Sequence, residues 1–123
     1  MNGTATKAPT VTTTTSIRNV VLVGPSGSGK SRVFDHIVGS AVPARAPRSD
    51  GGDAGDATTG LRAATIATGS VVVTLLDAPG NPDFVGEVRA GLRAADAALF
   101  VVSAADGADA ASRALWHECA VVG

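Results

Sequence analysis

The chain of 123 residues has no tyrosine, one tryptophan and three phenylalanines, so its hydrophobic fraction of 45% rests on alanine and valine. That supply allows one small domain with a core of moderate quality. Cysteine is as scarce: Cys119 has no partner in the sequence, which excludes an internal disulfide and reads as a small buried hydrophobe. His36 and His117 stand apart from any ligand-spaced Cys or His, so the sequence holds no zinc pattern. Lys7 and Lys30 are the only lysines and net charge is −1, which leaves no basic stripe, and no direct DNA binding is expected. No apolar run approaches the roughly 18 residues of a membrane span, and residues 1–16 lack the apolar core of a signal peptide. A soluble, cytoplasmic protein is the default expectation.

The most informative stretch present is Gly24-Pro25-Ser26-Gly27-Ser28-Gly29-Lys30-Ser31, which fits G-x-x-x-x-G-K-[ST], the phosphate-binding P-loop. Before it runs Val20-Val21-Leu22-Val23; after it Val33, Phe34, Ile37 and Val38 repeat at helical spacing. Strand, glycine loop and helix thus occur in the order that phosphate binding needs. Gly24, Gly27 and Gly29 are expected to free the backbone so that successive N–H groups turn inward around an anion. The first helical turn adds unpaired N–H groups and the positive end of its dipole. Lys30 is placed to reach the β- and γ-phosphates, and the Ser31 hydroxyl to bind Mg²⁺.

In chain order, residues 1–16 are polar, without period, and read as a disordered Thr-rich tail. Ile17 to Val23 reads as a first strand buried on both faces, and a helix from Lys30 to Val38 stops at Gly39. Residues 40–60 hold Pro43, Pro47, four glycines, Asp50, Asp53 and Asp56, with Val42 the only sizeable apolar side chain before Gly60. This is the composition of a mobile loop, and its position after a P-loop helix gives it a switch-like reading. Leu61 to Thr68 and Val71 to Leu76 flank Gly69-Ser70 and predict a hairpin with a type II′ or related turn. The second strand runs into Asp77-Ala78-Pro79-Gly80, a D-x-x-G about 50 residues after the P-loop, whose carboxylate can hold Mg²⁺ and whose Gly80 N–H can meet a γ-phosphate. Phe84, Val85, Val88, Leu92 and Ala95 predict an amphipathic helix with Asp83 as N-cap. Ala97 to Val102 reads as another buried strand, and Asp109 onward as a helix with Leu115, Cys119 and Val122 on one face.

Taken together, Gly24–Ser31, Asp77–Gly80 and the run from Asp83 through Val85-Gly86-Glu87-Val88 to Val102 resemble the G domain of translational GTPases. Within them, the run most resembles elongation factor G and its bacterial elongation-factor-G-like relatives. Trp116-His117-Glu118-Cys119-Ala120 is similar to the third helix of that group. The resemblance covers residues 17–123 and implies a partial GTP-binding domain of α/β class. Its expected form is a P-loop NTPase-type sheet in three layers, helices on both faces, one antiparallel edge strand, and an end before the last strands. Those strands would lie beside Ala97–Val102. The resemblance implies GTP or GDP with Mg²⁺ as ligands, the ribosome as partner, and a role in translation with hydrolysis of GTP. It implies nucleotide contacts from Gly24, Pro25, Ser26, Gly27, Ser28, Gly29, Lys30, Ser31, Asp77, Ala78, Pro79 and Gly80. It also implies Mg²⁺ held by Ser31, Asp77 and a switch threonine, Thr59 or Thr58.

Three features depart from the family pattern. Asn81 follows Asp77-x-x-Gly80 where elongation factors carry a histidine that positions the attacking water, so Asn81, with Gly80, is the candidate catalytic residue. Arg32 replaces a small residue after Lys30-Ser31. No Asn-Lys-x-Asp occurs in the 123 residues, so the motif that reads the guanine edge is missing from them. The alternative reading is a degenerate, non-hydrolysing P-loop module that binds nucleotide phosphates without strong base selectivity.

Overall fold

The structure, a computed structural model, describes residues 13–41 and 60–123. Most of the expected tail and nearly all of the switch-like loop, including Thr58 and Thr59, lie outside the described residues. Where the tail enters the description, Thr14–Ser16 forms a short 3-10 turn leading into the first strand.

The described elements run β1 (Ile17–Val23), α1 (Lys30–Ser40), β2 (Arg62–Thr68), β3 (Val71–Asp77), α2 (Val85–Ala94), β4 (Ala97–Phe100) and α3 (Ala110–Val122). The four strands form one sheet in the order β2-β3-β1-β4, with β1 parallel to both β3 and β4 and β2 antiparallel to β3. Alternation along the strands separates two apolar layers. Leu22, Leu75, Ala64 and Ile66 face α1 through Phe34, Val33, Ile37 and Val38. Val21, Val23 and Leu76 face the other way, toward Val88 and Leu92 of α2 and Leu115 and Cys119 of α3. The result is three layers with helices on both faces of a mixed sheet.

The turn at Gly69-Ser70 has positive φ at Gly69 (58°) and not at Ser70, as a type II′ turn requires and a type I′ turn does not. Four sequence expectations are corrected. Helix α1 continues past Gly39 to Ser40, whose hydroxyl donates to the His36 carbonyl at 2.8 Å, so the stop comes from the chain leaving at Ala41. Asp83 is not an N-cap: Asn81 caps a 3-10 turn over Pro82–Phe84 by accepting the Asp83 N–H, and α2 starts from Phe84 without a side-chain cap. β1 is buried only toward its C-terminal end; Ile17 is 39% exposed. The strand from Ala97 is shorter than expected and its residues are mostly exposed, because β4 is the edge of the described sheet. At α3, by contrast, Asp109 caps as the sequence suggests, accepting the Ser112 N–H at 2.8 Å.

Candidate functional site

The site sits where β1 and β3, side by side in parallel, deliver their C-terminal ends to two loops. β1 feeds the glycine loop, and β3 ends at Asp77 with Leu22 opposite it in register. A ligand crevice beyond the carboxyl ends of parallel strands is the usual arrangement in open α/β sheets. Gly27 (φ 80°) and Gly29 (φ 91°) take left-handed backbone angles, and Gly29 immediately precedes the first residue of α1. Gly24 departs from the expectation of a special backbone angle: its need is space, since a Cβ there would run into the Val101 carbonyl and lie 2.8 Å from Ser28 Oγ. Gly80 has the same kind of constraint. A Cβ on it would lie 2.6 Å from the Ser26 nitrogen and 2.7 Å from the Gly24 carbonyl oxygen. The two sequence motifs, about 50 residues apart, are therefore stacked backbone on backbone.

At the centre lies Asp77, fully buried, and its two carboxylate oxygens take four donors among the described residues. Lys30 Nζ donates to Oδ1 at 2.9 Å. Ser31 Oγ donates to Oδ2 at 3.2 Å. Arg62 adds a pair of bonds to the same Oδ2, from Nε at 3.0 Å and Nη2 at 2.6 Å. An isolated buried carboxylate costs several kcal/mol; here the donors and two positive charges offset that cost. Lys30 is itself only 5% exposed, so its ammonium is held at the loop rather than waving in solvent. The Ser28 hydroxyl, buried in the middle of the glycine loop, has no partner among the described residues.

The structure thus brings together Gly24 to Ser31 with Asp77, Ala78, Pro79 and Gly80; Ala78 N–H donates to the Leu22 carbonyl at 3.2 Å, fixing the second loop to β1. Asn81 sits just beyond Gly80 with an extended backbone (ψ 132°), as the following Pro82 dictates, and its side-chain oxygen is engaged by the Asp83 N–H at 3.0 Å. Thr59, the candidate third metal ligand, lies outside the described residues.

Arg62 is the residue that motif reading misses. It was nevertheless accessible to arithmetic. A two-residue hairpin loop at Gly69-Ser70 pairs Thr68 with Val71, and stepping outward places Arg62 opposite Asp77. Residues directly opposite in an antiparallel pair share a face of the sheet. Arg62 also stacks over the Phe34 ring, 4.6 Å from its centroid, and reaches Asp35 Oδ1 at 3.3 Å.

Away from this site, Arg89 and Glu118 join α2 to α3 through two hydrogen bonds of 2.6 and 3.0 Å. The Arg89 guanidinium holds the Glu118 carboxyl below the ordinary carboxylate range. The Ser112 N–H does the same for Asp109. Burial pushes the Cys119 thiol up, as suits a side chain packed against the core rather than a nucleophile.

Comparison with known proteins bears on the fold and the family. Among solved structures, the crystal structure of ttk003000868 from Thermus thermophilus is similar with a TM-score of 0.72 and 35% identity, over 86% of this chain and 18% of that one. The bacterial selenocysteine-specific elongation factor EF-Sec shares the fold with a TM-score of 0.70 at 15% identity, over 84% of this chain and 17% of its own. An elongation factor G-like protein of Mycobacterium tuberculosis (strain H37Rv) is 43% identical over 130 aligned residues, covering 97% of this chain. The match takes in 18% of that relative, so the chain spans about a fifth of its length. Residues 15–123 match the family described as the elongation factor Tu GTP binding domain, and the chain belongs to that family.

Proposed function

We propose that the chain binds GTP and GDP through their phosphates, with Mg²⁺, as the front part of the G domain of an elongation-factor-G-like translational GTPase. The observation that carries this reading is the assembly of Lys30, Ser31 and Asp77 under a loop whose Gly27 and Gly29 take left-handed backbone angles. A nucleotide phosphate would take the Lys30 ammonium and the amides at the start of α1. The Ser31 hydroxyl and the Asp77 carboxylate, 3.2 Å apart, are the hard oxygen pair that suits Mg²⁺, which usually keeps one or two protein oxygens alongside phosphate and water. Bound there, the ion would neutralise charge on the phosphates. Gly80, packed on the Ser26 backbone, couples the second loop to whatever occupies the first.

The fuller role is hydrolysis of GTP to GDP and phosphate during protein synthesis, with the ribosome as partner and the cytoplasm as location. It rests on the family and on the elongation factor G-like relatives. No described helix is long and apolar enough to cross a membrane. A second reading, a phosphate-binding module that does not hydrolyse, is favoured by one observation: the Asn81 side-chain oxygen is committed to the Asp83 N–H.

Titration of the 123-residue chain with fluorescent GDP and ADP tests the binding reading. The expected result is affinities within about tenfold of one another, a gap of about 1.4 kcal/mol, because no Asn-Lys-x-Asp is present to read the base. Lys30→Ala should weaken both ligands by about two orders of magnitude, the scale of losing a hydrogen-bonded charge on a phosphate. Binding untouched by Lys30→Ala contradicts the reading.

A further inference from the structure

We propose that Arg62 is a resident counter-cation of Asp77 that must leave the carboxylate before Mg²⁺ is held there, and that Asp35 is the carboxylate that receives it. The inference rests on the phosphate-site reading above and adds to it a residue that governs how readily the metal enters.

The geometry places the competition on one atom. Ser31 Oγ and the Nε and Nη2 of Arg62 all donate to Oδ2 of Asp77, while among the described residues Lys30 alone takes Oδ1. The oxygen that adjoins the Ser31 hydroxyl is therefore the one covered by guanidinium. A guanidinium is a donor only, and a hard cation needs the same lone pairs. Charge reinforces the exclusion. Lys30 and Arg62 already set two positive charges against a single buried carboxylate, and Asp77 lies where water screens little. A dication entering with Arg62 still in place would meet two cations at close range.

Arg62 also has somewhere to go. Its side chain is 33% exposed, whereas Lys30 is sealed in, and its Nη1 already reaches Asp35 Oδ1 at 3.3 Å. Asp35 lies on α1 in the turn after Ser31 and is 62% exposed, so it can follow the guanidinium outward. The Phe34 ring beneath Arg62 Cζ supports the guanidinium by a face contact with little directional demand. Releasing Asp77 thus shifts Arg62 from one carboxylate to another without stranding its charge.

The proposal predicts effects of opposite sign. Affinity for labelled GDP is measured on the full chain from chelator to saturating Mg²⁺, and the Mg²⁺ concentration at half effect is read for each variant. Arg62→Gln keeps a polar stem on Phe34 but removes the charge, and should lower that midpoint by about tenfold, the scale of one charge-assisted hydrogen bond. Asp35→Asn removes the receiving charge and should raise it by about two- to fivefold, as befits an exposed pair. In an Arg62→Gln background the Asp35→Asn effect should vanish, since the two act through one contact. Arg62→Lys keeps the charge without the two-pronged grip and should give an intermediate midpoint; it decides the matter if Arg62→Gln does not fold. A wild-type midpoint in every Arg62 variant that folds overturns the proposal. An Asp35→Asn shift that persists without Arg62 overturns the receiving role of Asp35. GDP binding absent at every Mg²⁺ concentration is a different result: it overturns the phosphate-site reading, and this inference falls with it.

Discussion

The centre of the sheet and its β4 edge are built on opposite terms. Around β1 and β3 the chain is closed: Val21, Leu22, Val23, Asp77 and Ala78 are sealed from solvent, and the Gly24 and Gly80 loops touch through backbone. Around β4 and α3 it is open: Leu99 is 43% exposed, Val121 62% and Trp116 66%, although Trp116 stacks edge-on against Phe100 with centroids 5.8 Å apart. The same short chain thus places tight packing around a buried ion-paired carboxylate where phosphate chemistry is expected, and leaves apolar surface where a sheet edge has no neighbour among the described residues. Precision in the closed region comes from backbone contact and buried charge, both of which tolerate little change. In the open region the exposed side chains of Leu99 and Val121 are under no such constraint.

The sharpest way to probe the closed region is through the proposed hydrolysis of GTP. If Asn81 stands where an attacking water must be oriented, a side chain turned back to the Asp83 N–H is a poor support for it. In a chain extended to a full G domain, Asn81→His should raise single-turnover GTP hydrolysis on ribosomes by about 10²–10³, the scale of one well-placed catalytic donor. Equal rates for the two forms would clear Asn81 of limiting turnover. Next in size is Gly80→Ala. Its Cβ would press on the Ser26 and Gly24 backbone, which has no flexible end to yield. The expected loss is about 1–3 kcal/mol of stability, read by denaturant unfolding, with GDP affinity falling alongside.

How far the sequence alone led differs between the regions for a physical reason. The P-loop, D-x-x-G, hairpin and helices were legible because local chemistry decides them: glycine angles, turn type and apolar spacing need no distant partner. Burial was less legible. Ala97–Val102 has the apolar run of an interior strand, yet exposure depends on what lies beside it, and no periodicity within the strand encodes that. Arg62 lay between these cases. Nothing in its neighbourhood marks it, but the Gly69-Ser70 turn fixes the register that sets it opposite Asp77. Asn81 caps where Asp83 was expected to because two capping residues flank one proline, and the turn formed at the earlier one.

The open region should respond weakly in stability and visibly in association. An uncovered apolar edge strand is a template for pairing with another chain. Leu99→Lys should change unfolding stability by no more than about 0.5 kcal/mol, as for an exposed position, while reducing self-association in sedimentation. A large stability loss would mean that β4 is packed as firmly as β1.

The smallest expected effect is on acid stability. Asp109 and Glu118 both titrate below their ordinary range in the fold, so each adds stability that is present above that range and is lost as pH falls through the lowered folded value. Asp109→Ala should therefore flatten the acid limb of a melting-temperature profile while leaving its neutral-to-alkaline shape unchanged. An unaltered acid limb would show that the Ser112 cap is not maintained in solution.

The contrast between closed and open regions is tested most directly by amide hydrogen exchange of the full chain with and without GDP and Mg²⁺. Slowed exchange should appear at Gly27–Ser31 and Asp77–Gly80, with Ala97–Phe100 and α3 unchanged. Protection confined to β4 and α3, with the two loops unaffected, would contradict the assignment of phosphate binding to the Lys30–Asp77 site.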